Sequence, residues 1–145
     1  MNDKISLTKT DGIAIIRINR PKYRNALDGK SINEFANVVA VVEADKTIQV
    51  LVLAGGGGTF CAGADLNEIS DLGANYKPWA GADSPLSKHC SKPVIAAIEG
   101  HAVAGGFGLA LWADIRVVSE AAIFGVYCRR FGIPMSDAAP RHDYL

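Results

Sequence analysis

The chain has 145 residues, with 15 Lys+Arg against 15 Asp+Glu, a formal net charge of zero and 49% apolar residues. That length fits one domain with a real core. Balanced charge argues against a general nucleic-acid or membrane-surface binder, which needs a basic excess, and the high apolar content argues against intrinsic disorder. The three cysteines, Cys61, Cys90 and Cys128, form no C-x-x-C pair, so neither a disulfide framework nor a zinc site of that type is expected. The first ten residues lack the apolar stretch of a signal peptide, and no apolar run reaches membrane-spanning length. The expectation is a soluble, reduced, cytoplasmic protein.

In chain order, Ile5 and Leu7 alternate with Ser6 and Thr8 as in a half-buried strand. Asp11-Gly12 supplies a tight turn, residues 13–18 form the return strand, and Pro21 ends it by removing a ladder donor. Ser31, with Glu34 three residues on, reads as a capping box. Ile32, Phe35, Val39 and Val42 then follow at helical spacing to about Asp45. Residues 48–53 and 94–98 read as buried strands, 103–112 as a small-residue helix and 115–118 as a further strand, while 66–90 is polar with short helix at best. Strands alternating with helices indicate an α/β domain with a partly parallel sheet.

Many of the 15 glycines cluster in two places. Each follows a buried strand and opens a helix: AGGGGTFCAGADL after residue 53, and EGHAVAGGFGLAL after residue 98. Such a junction presents free backbone N–H groups at a helix start, which suits an anion or a developing oxyanion. The alternative is that the glycines serve only chain reversal and close helix packing. The spacing of Gly100, Gly105, Gly106 and Gly108 does not make a dinucleotide fingerprint; a P-loop and a Gly-x-Ser-x-Gly elbow are also absent.

Several strings, in order, carry a resemblance: Asn19-Arg20-Pro21 with Asn25-Ala26-Leu27, then Phe60-Cys61-Ala62-Gly63-Ala64-Asp65-Leu66. Lys92-Pro93-Val94-Ile95-Ala96-Ala97, Gly100-His101-Ala102, Ala104-Gly105-Gly106, Asp114-Ile115-Arg116 and Phe124-Gly125 follow. Together they resemble the enoyl-CoA hydratase/isomerase (crotonase) superfamily. The resemblance implies a spiral of ββα units, an acyl-CoA thioester as substrate with no separate cofactor or metal, and an enolate oxygen held by two backbone N–H groups. By motif position these donors are Ala64 and Gly105. The resemblance also assigns CoA contacts to Lys22, Arg24, Ala26, Ala62, Gly63, Ala64, Asp65 and Leu66; for Lys22 and Arg24 a solvated loop charge is the other reading.

Two departures from the family pattern stand out. The hydratases use two glutamates as general base and acid. Their positions here hold Gly108 and Cys128. Glycine has no side chain, and a thiol ionises only with help from cations such as Arg129 and Arg130. Of the five glutamates, Glu68 lies nearest the first turn and is the candidate acid; Asp65 is expected to start the helix there, and His101 is expected to pack. The second departure is the end. Residues 1–137 read as an incomplete family core and 138–145 as a tail without family counterpart. The C-terminal helical region, which in relatives completes the acyl pocket and joins trimers or hexamers, is expected to be lacking. A catalytically impaired form that binds CoA weakly or associates with a full-length paralogue is the alternative to an active enzyme.

Overall fold

A computed structural model describes residues 4–76, 87 and 89–134. The strands are β1 (Ile5–Thr10), β2 (Ile13–Ile18), β3 (Val50–Gly55), β4 (Val94–Ile98), β5 (His101–Val103), β6 (Ile115–Val118) and β7 (Ile123–Gly125). The helices are α1 (Gly29–Ala44), α2 (Leu66–Leu72) and α3 (Gly105–Trp112). The main sheet has the order β1-β2-β3-β4-β6, and β5 pairs with β7 in a second, smaller sheet. The hairpin is antiparallel with Thr10 opposite Ile13; Asp11 and Gly12 both take positive φ, as its tight turn requires. All later neighbours in the main sheet are parallel.

After each of β2, β3, β4 and β6 the chain turns sharply and runs through a short extended piece in a second layer. Leu27 bridges Ala64, Cys61 bridges Ala102, and Ala102 pairs with Phe124. This second layer therefore runs from residues 24–27, through 61–64 and 101–103, to 123–125. The repeated strand, turn, short strand and helix is the expected spiral of ββα units. Its core joins inward-facing Ile16, Ile18, Leu51 and Leu53 to Phe60, Phe35 and Trp112. Phe35 of α1 meets Trp112 of α3 edge to face at 5.9 Å. Burial of each such side chain contributes roughly 1.5–3 kcal/mol.

Three sequence expectations are corrected. The N-cap of α1 is Asp28, not Ser31: the Asp28 carboxylate accepts from the Ser31 N–H at 2.8 Å and from its hydroxyl at 2.6 Å. Lys4 and Arg20 also reach Asp28, so charges distant in the chain favour the earlier cap. Strand β3 begins at Val50 rather than 48, because the Lys92 ammonium donates to the carbonyls of Asp45 and Ile48 and holds them in a turn. Val103 belongs to β5, and α3 starts at Gly105. The chain reverses between them at Ala104, with φ of 52°. The proposed tail at 138–145 lies outside the described residues.

Candidate active site

The two glycine-rich turns nest against each other, and glycine is what lets them. A Cβ at Gly106 would lie 2.0 Å from the Cys61 carbonyl oxygen, and one at Gly100 would lie 2.3 Å from that of Gly58. A Cβ at Gly63 would lie 2.8 Å from the backbone nitrogen of Gly105. The second layer adds hydrogen bonds from Cys61 N–H to His101 carbonyl and from Val103 N–H to Cys61 carbonyl, at 3.0 and 3.1 Å. Neighbouring amides in these turns have acceptors: Ala62 donates to Arg24, Asp65 to Leu27 and Ala104 to Gly125. The Gly63 N–H points to the Cys61 sulfur at 3.4 Å. Among the described residues, the N–H groups of Ala64 and Gly105 meet no protein acceptor. Two free donors on adjoining turns, one of them at a helix start, suit a single oxygen carrying negative charge.

These turns border a cavity of about 550 Å³. Of the residues expected at the site, Arg24, Ala26, Ala62, Ala64, Asp65, Leu66 and Cys128 line it. Gly63 and Gly105, where the turns meet, are not in the lining, although their neighbours Ala62, Ala64 and Ala104 are. Lys22 is exposed in the short 3-10 turn Pro21–Tyr23 and is not in the lining. Gly108 is buried within α3, also away from the lining. His101, expected only to pack, lines the cavity with Val103 and Ala104.

The floor on one side is a buried ionic network. Arg20, 8% exposed, contacts Asp65 at 3.0 Å and Asp28 at 3.1 Å, and donates to the Ala26 carbonyl. Asp65 caps α2, as expected, by accepting from the Asn67 N–H at 3.0 Å. Burial pushes the Asp28 carboxyl upward. Hydrogen bonds from Lys4 and Ser31 and the Arg20 charge outweigh it and bring its pKa from 3.8 down to about 2. Asn25, fully buried at φ 57°, accepts from the Arg20 N–H at 2.8 Å and donates to the carbonyls of Gly56 and Thr59. Neither Arg20 nor Asn25 was singled out for a role by sequence reasoning; the one local signal is that asparagine tolerates left-handed backbone better than most residues. Burial pushes the Cys61 thiol up to about 12, so it is an inert packing group.

Glu68, the glutamate nearest the first turn in sequence, is not among the cavity-lining residues. Both its carboxylate oxygens accept from the Gly29 N–H, at 3.0 and 2.8 Å, so it clamps α2 to the start of α1. Asp65 is the one carboxylate among the described lining residues, and Arg20 already holds it. The opposite wall, from Tyr127, Cys128, Arg130, Phe131 and Ile133, was visible in sequence only at Cys128.

Fold and site thus define an α/β spiral in which two abutting glycine-rich turns, each with a backbone amide lacking a protein acceptor among the described residues, border a cavity. The enoyl-CoA hydratase/isomerase family profile matches residues 8–140, and the chain belongs to that family. It is 36% identical over 126 residues to a probable peroxisomal enoyl-CoA hydratase of Arabidopsis thaliana, an alignment covering 86% of this chain and 48% of that protein. It is 35% identical over 128 residues to a 4-chlorobenzoyl coenzyme A dehalogenase of an Arthrobacter species, covering 83% and 46%. The crystal structure of an enoyl-CoA hydratase from Mycobacterium marinum superposes with a TM-score of 0.84 at 31% identity, covering 93% of this chain and 53% of that one. The chain spans about half the length of the relatives it matches. No helix among the described residues is long and apolar enough to cross a membrane.

Proposed function

We propose that this chain binds an acyl-CoA thioester and polarises its carbonyl with the Ala64 and Gly105 N–H groups, stabilising enolate-like charge on the oxygen. The observation that carries this reading is the pair of free amides brought together where Gly63 abuts Gly105. The names of the relatives agree on CoA thioesters while differing in the reaction: one is a hydratase, another a dehalogenase. That pattern supports the binding and polarising function over any one transformation. CoA arrives covalently attached to the substrate, so no separate cofactor is required. Arg24, Ala26 and residues 62–66 form the CoA side of the cavity in this reading, and Lys22 stays in solvent beside it.

Hydration needs a carboxylate to deprotonate water and another acid to protonate the α-carbon. Gly108 supplies neither, Cys128 is a thiol, and Asp65 and Glu68 are held by Arg20 and Gly29. The chain is therefore proposed as a thioester binder that lacks hydratase turnover.

Calorimetry with butyryl-CoA and with its thioether analogue, which lacks the carbonyl, tests the first claim. The thioester is expected to bind roughly tenfold tighter, as for one or two good hydrogen bonds; equal affinity would rule out the paired-amide role. Crotonyl-CoA hydration, followed by loss of the conjugated thioester absorbance, tests the second. Turnover above a denatured control would overturn it.

A further inference from the structure

The second layer sets the direction of a bound thioester. Its extended pieces lie in the order 24–27, 61–64, 101–103 and 123–125; of the two free amides, Ala64 ends the second piece and Gly105 opens α3 just beyond the third. A carbonyl held there sends its two substituents toward opposite edges. One edge carries Tyr23 and Arg24, the other Tyr127 and Arg130, and all four line the cavity. In the acyl-CoA reading the CoA moiety lies at the first edge. The acyl chain then runs past Val103, Phe131 and Ile133 toward Arg130.

Arg130 is an unusual end for an acyl path. Its guanidinium lies 4.4 Å over the Tyr127 ring, which fixes its position by a cation–π contact. No carboxylate among the described residues pairs with it, whereas Arg20, the other lining-side guanidinium that stacks on a tyrosine, has Asp28 and Asp65. Arg130 is exposed at the cavity rim; an apolar wall of Val103, Phe131 and Ile133 beside a ring-braced guanidinium that meets no carboxylate among the described residues fits a ligand with an aliphatic stem and a terminal carboxylate, which the planar fork can bind by two parallel hydrogen bonds.

We propose that Arg130 selects acyl-CoA substrates whose acyl group ends in a carboxylate, in preference to plain fatty acyl-CoA. The proposal rests on the acyl-CoA reading above. The test is calorimetry of the full chain with glutaryl-CoA and butyryl-CoA, repeated with R130Q, R130K and, as an exposed residue outside the cavity, R129Q. Glutaryl-CoA is expected to bind about tenfold tighter than butyryl-CoA. R130Q is expected to bring that ratio to about one, R130K to keep part of it, and R129Q to keep all of it. Equal affinities in the unaltered chain overturn the proposal and leave the acyl-CoA reading intact. A glutaryl preference that survives R130Q, or an R130Q loss equal for both ligands, also overturns it, the latter by placing Arg130 on the CoA phosphates. Failure of both ligands to bind overturns the acyl-CoA reading and this proposal with it.

Discussion

The two glycine turns reach the same result, a backbone N–H with no protein acceptor among the described residues, by opposite means. The first, around residues 55–65, is fastened by polar side chains. Asn25 holds the carbonyls of Gly56 and Thr59, and Arg20 anchors Asp65 beside the Ala64 amide. The second, around residues 100–108, is held by shape. Gly100 rests on Gly58, Gly106 on Cys61, and Ala104 is kept at φ 52° with its N–H on the Gly125 carbonyl. A charge network specifies geometry but suffers when one partner is lost. A close-packed backbone contact has no such partner to lose, and instead tolerates no added atom.

That contrast can be broken from either side. Arg20→Leu has the largest expected effect. It strands Asp65 and the Ala26 carbonyl in a buried setting and should cost about 3–5 kcal/mol in urea unfolding. A loss below about 1 kcal/mol would mean that the first turn stands without its network. Gly106→Ala attacks the second turn, where the new Cβ overlaps the Cys61 carbonyl; about 3 kcal/mol is expected. Gly58→Ala is the comparison, since its φ is +74° but nothing lies within 4 Å. It should cost only about 1 kcal/mol, and equal losses would count against the packing argument.

Acid sharpens the contrast, because only the first turn leans on a carboxylate network. The folded pKa of Asp28 is depressed from 3.8 to about 2, so its contribution is complete above about pH 4 and lost as pH falls through 2. Partial exposure limits the effect to about 1–2 kcal/mol. Between pH 4 and pH 2 the unaltered chain should lose more stability than Asp28→Asn, measured by denaturant unfolding at each pH; parallel profiles would refute this. The smallest effect is a gain. Ala104→Gly relieves a left-handed alanine and should add about 1 kcal/mol, seen as a rise of a few degrees in Tm.

Elements set by local pattern were legible in the sequence. The hairpin follows from alternation plus Asp11-Gly12, and the parallel strands from apolar runs bounded by glycine and proline. The two turns, with Ala64 and Gly105 in them, followed from strand–glycine–helix junctions and from the family resemblance. What misled was local chemistry with two valid solutions. Ser31 and Asp28 are both acceptable caps, and Lys4 and Arg20, far from either in sequence, decided for Asp28. Glu68 sits next to the first turn in the chain, yet it faces the start of α1, where a free N–H and the helix dipole attract a carboxylate. The wall from Tyr127 to Ile133 was legible only at one residue, because its place opposite Arg24 depends on how the second layer stacks.

By itself the sequence determined the kind of fold, the family and the two stretches of backbone able to present free amides, since these depend on residue type and short-range spacing. Tertiary structure decided which amides stay free and that they stand side by side. It also decided that Asp65 and Glu68 are already engaged and that Arg130, stacked on Tyr127, lines the cavity. Those outcomes rest on contacts such as Gly63 against Gly105 and Arg20 against Asp65. Parallel pairing brings these partners together across long stretches of chain, and no local pattern records which of the available polar groups will meet.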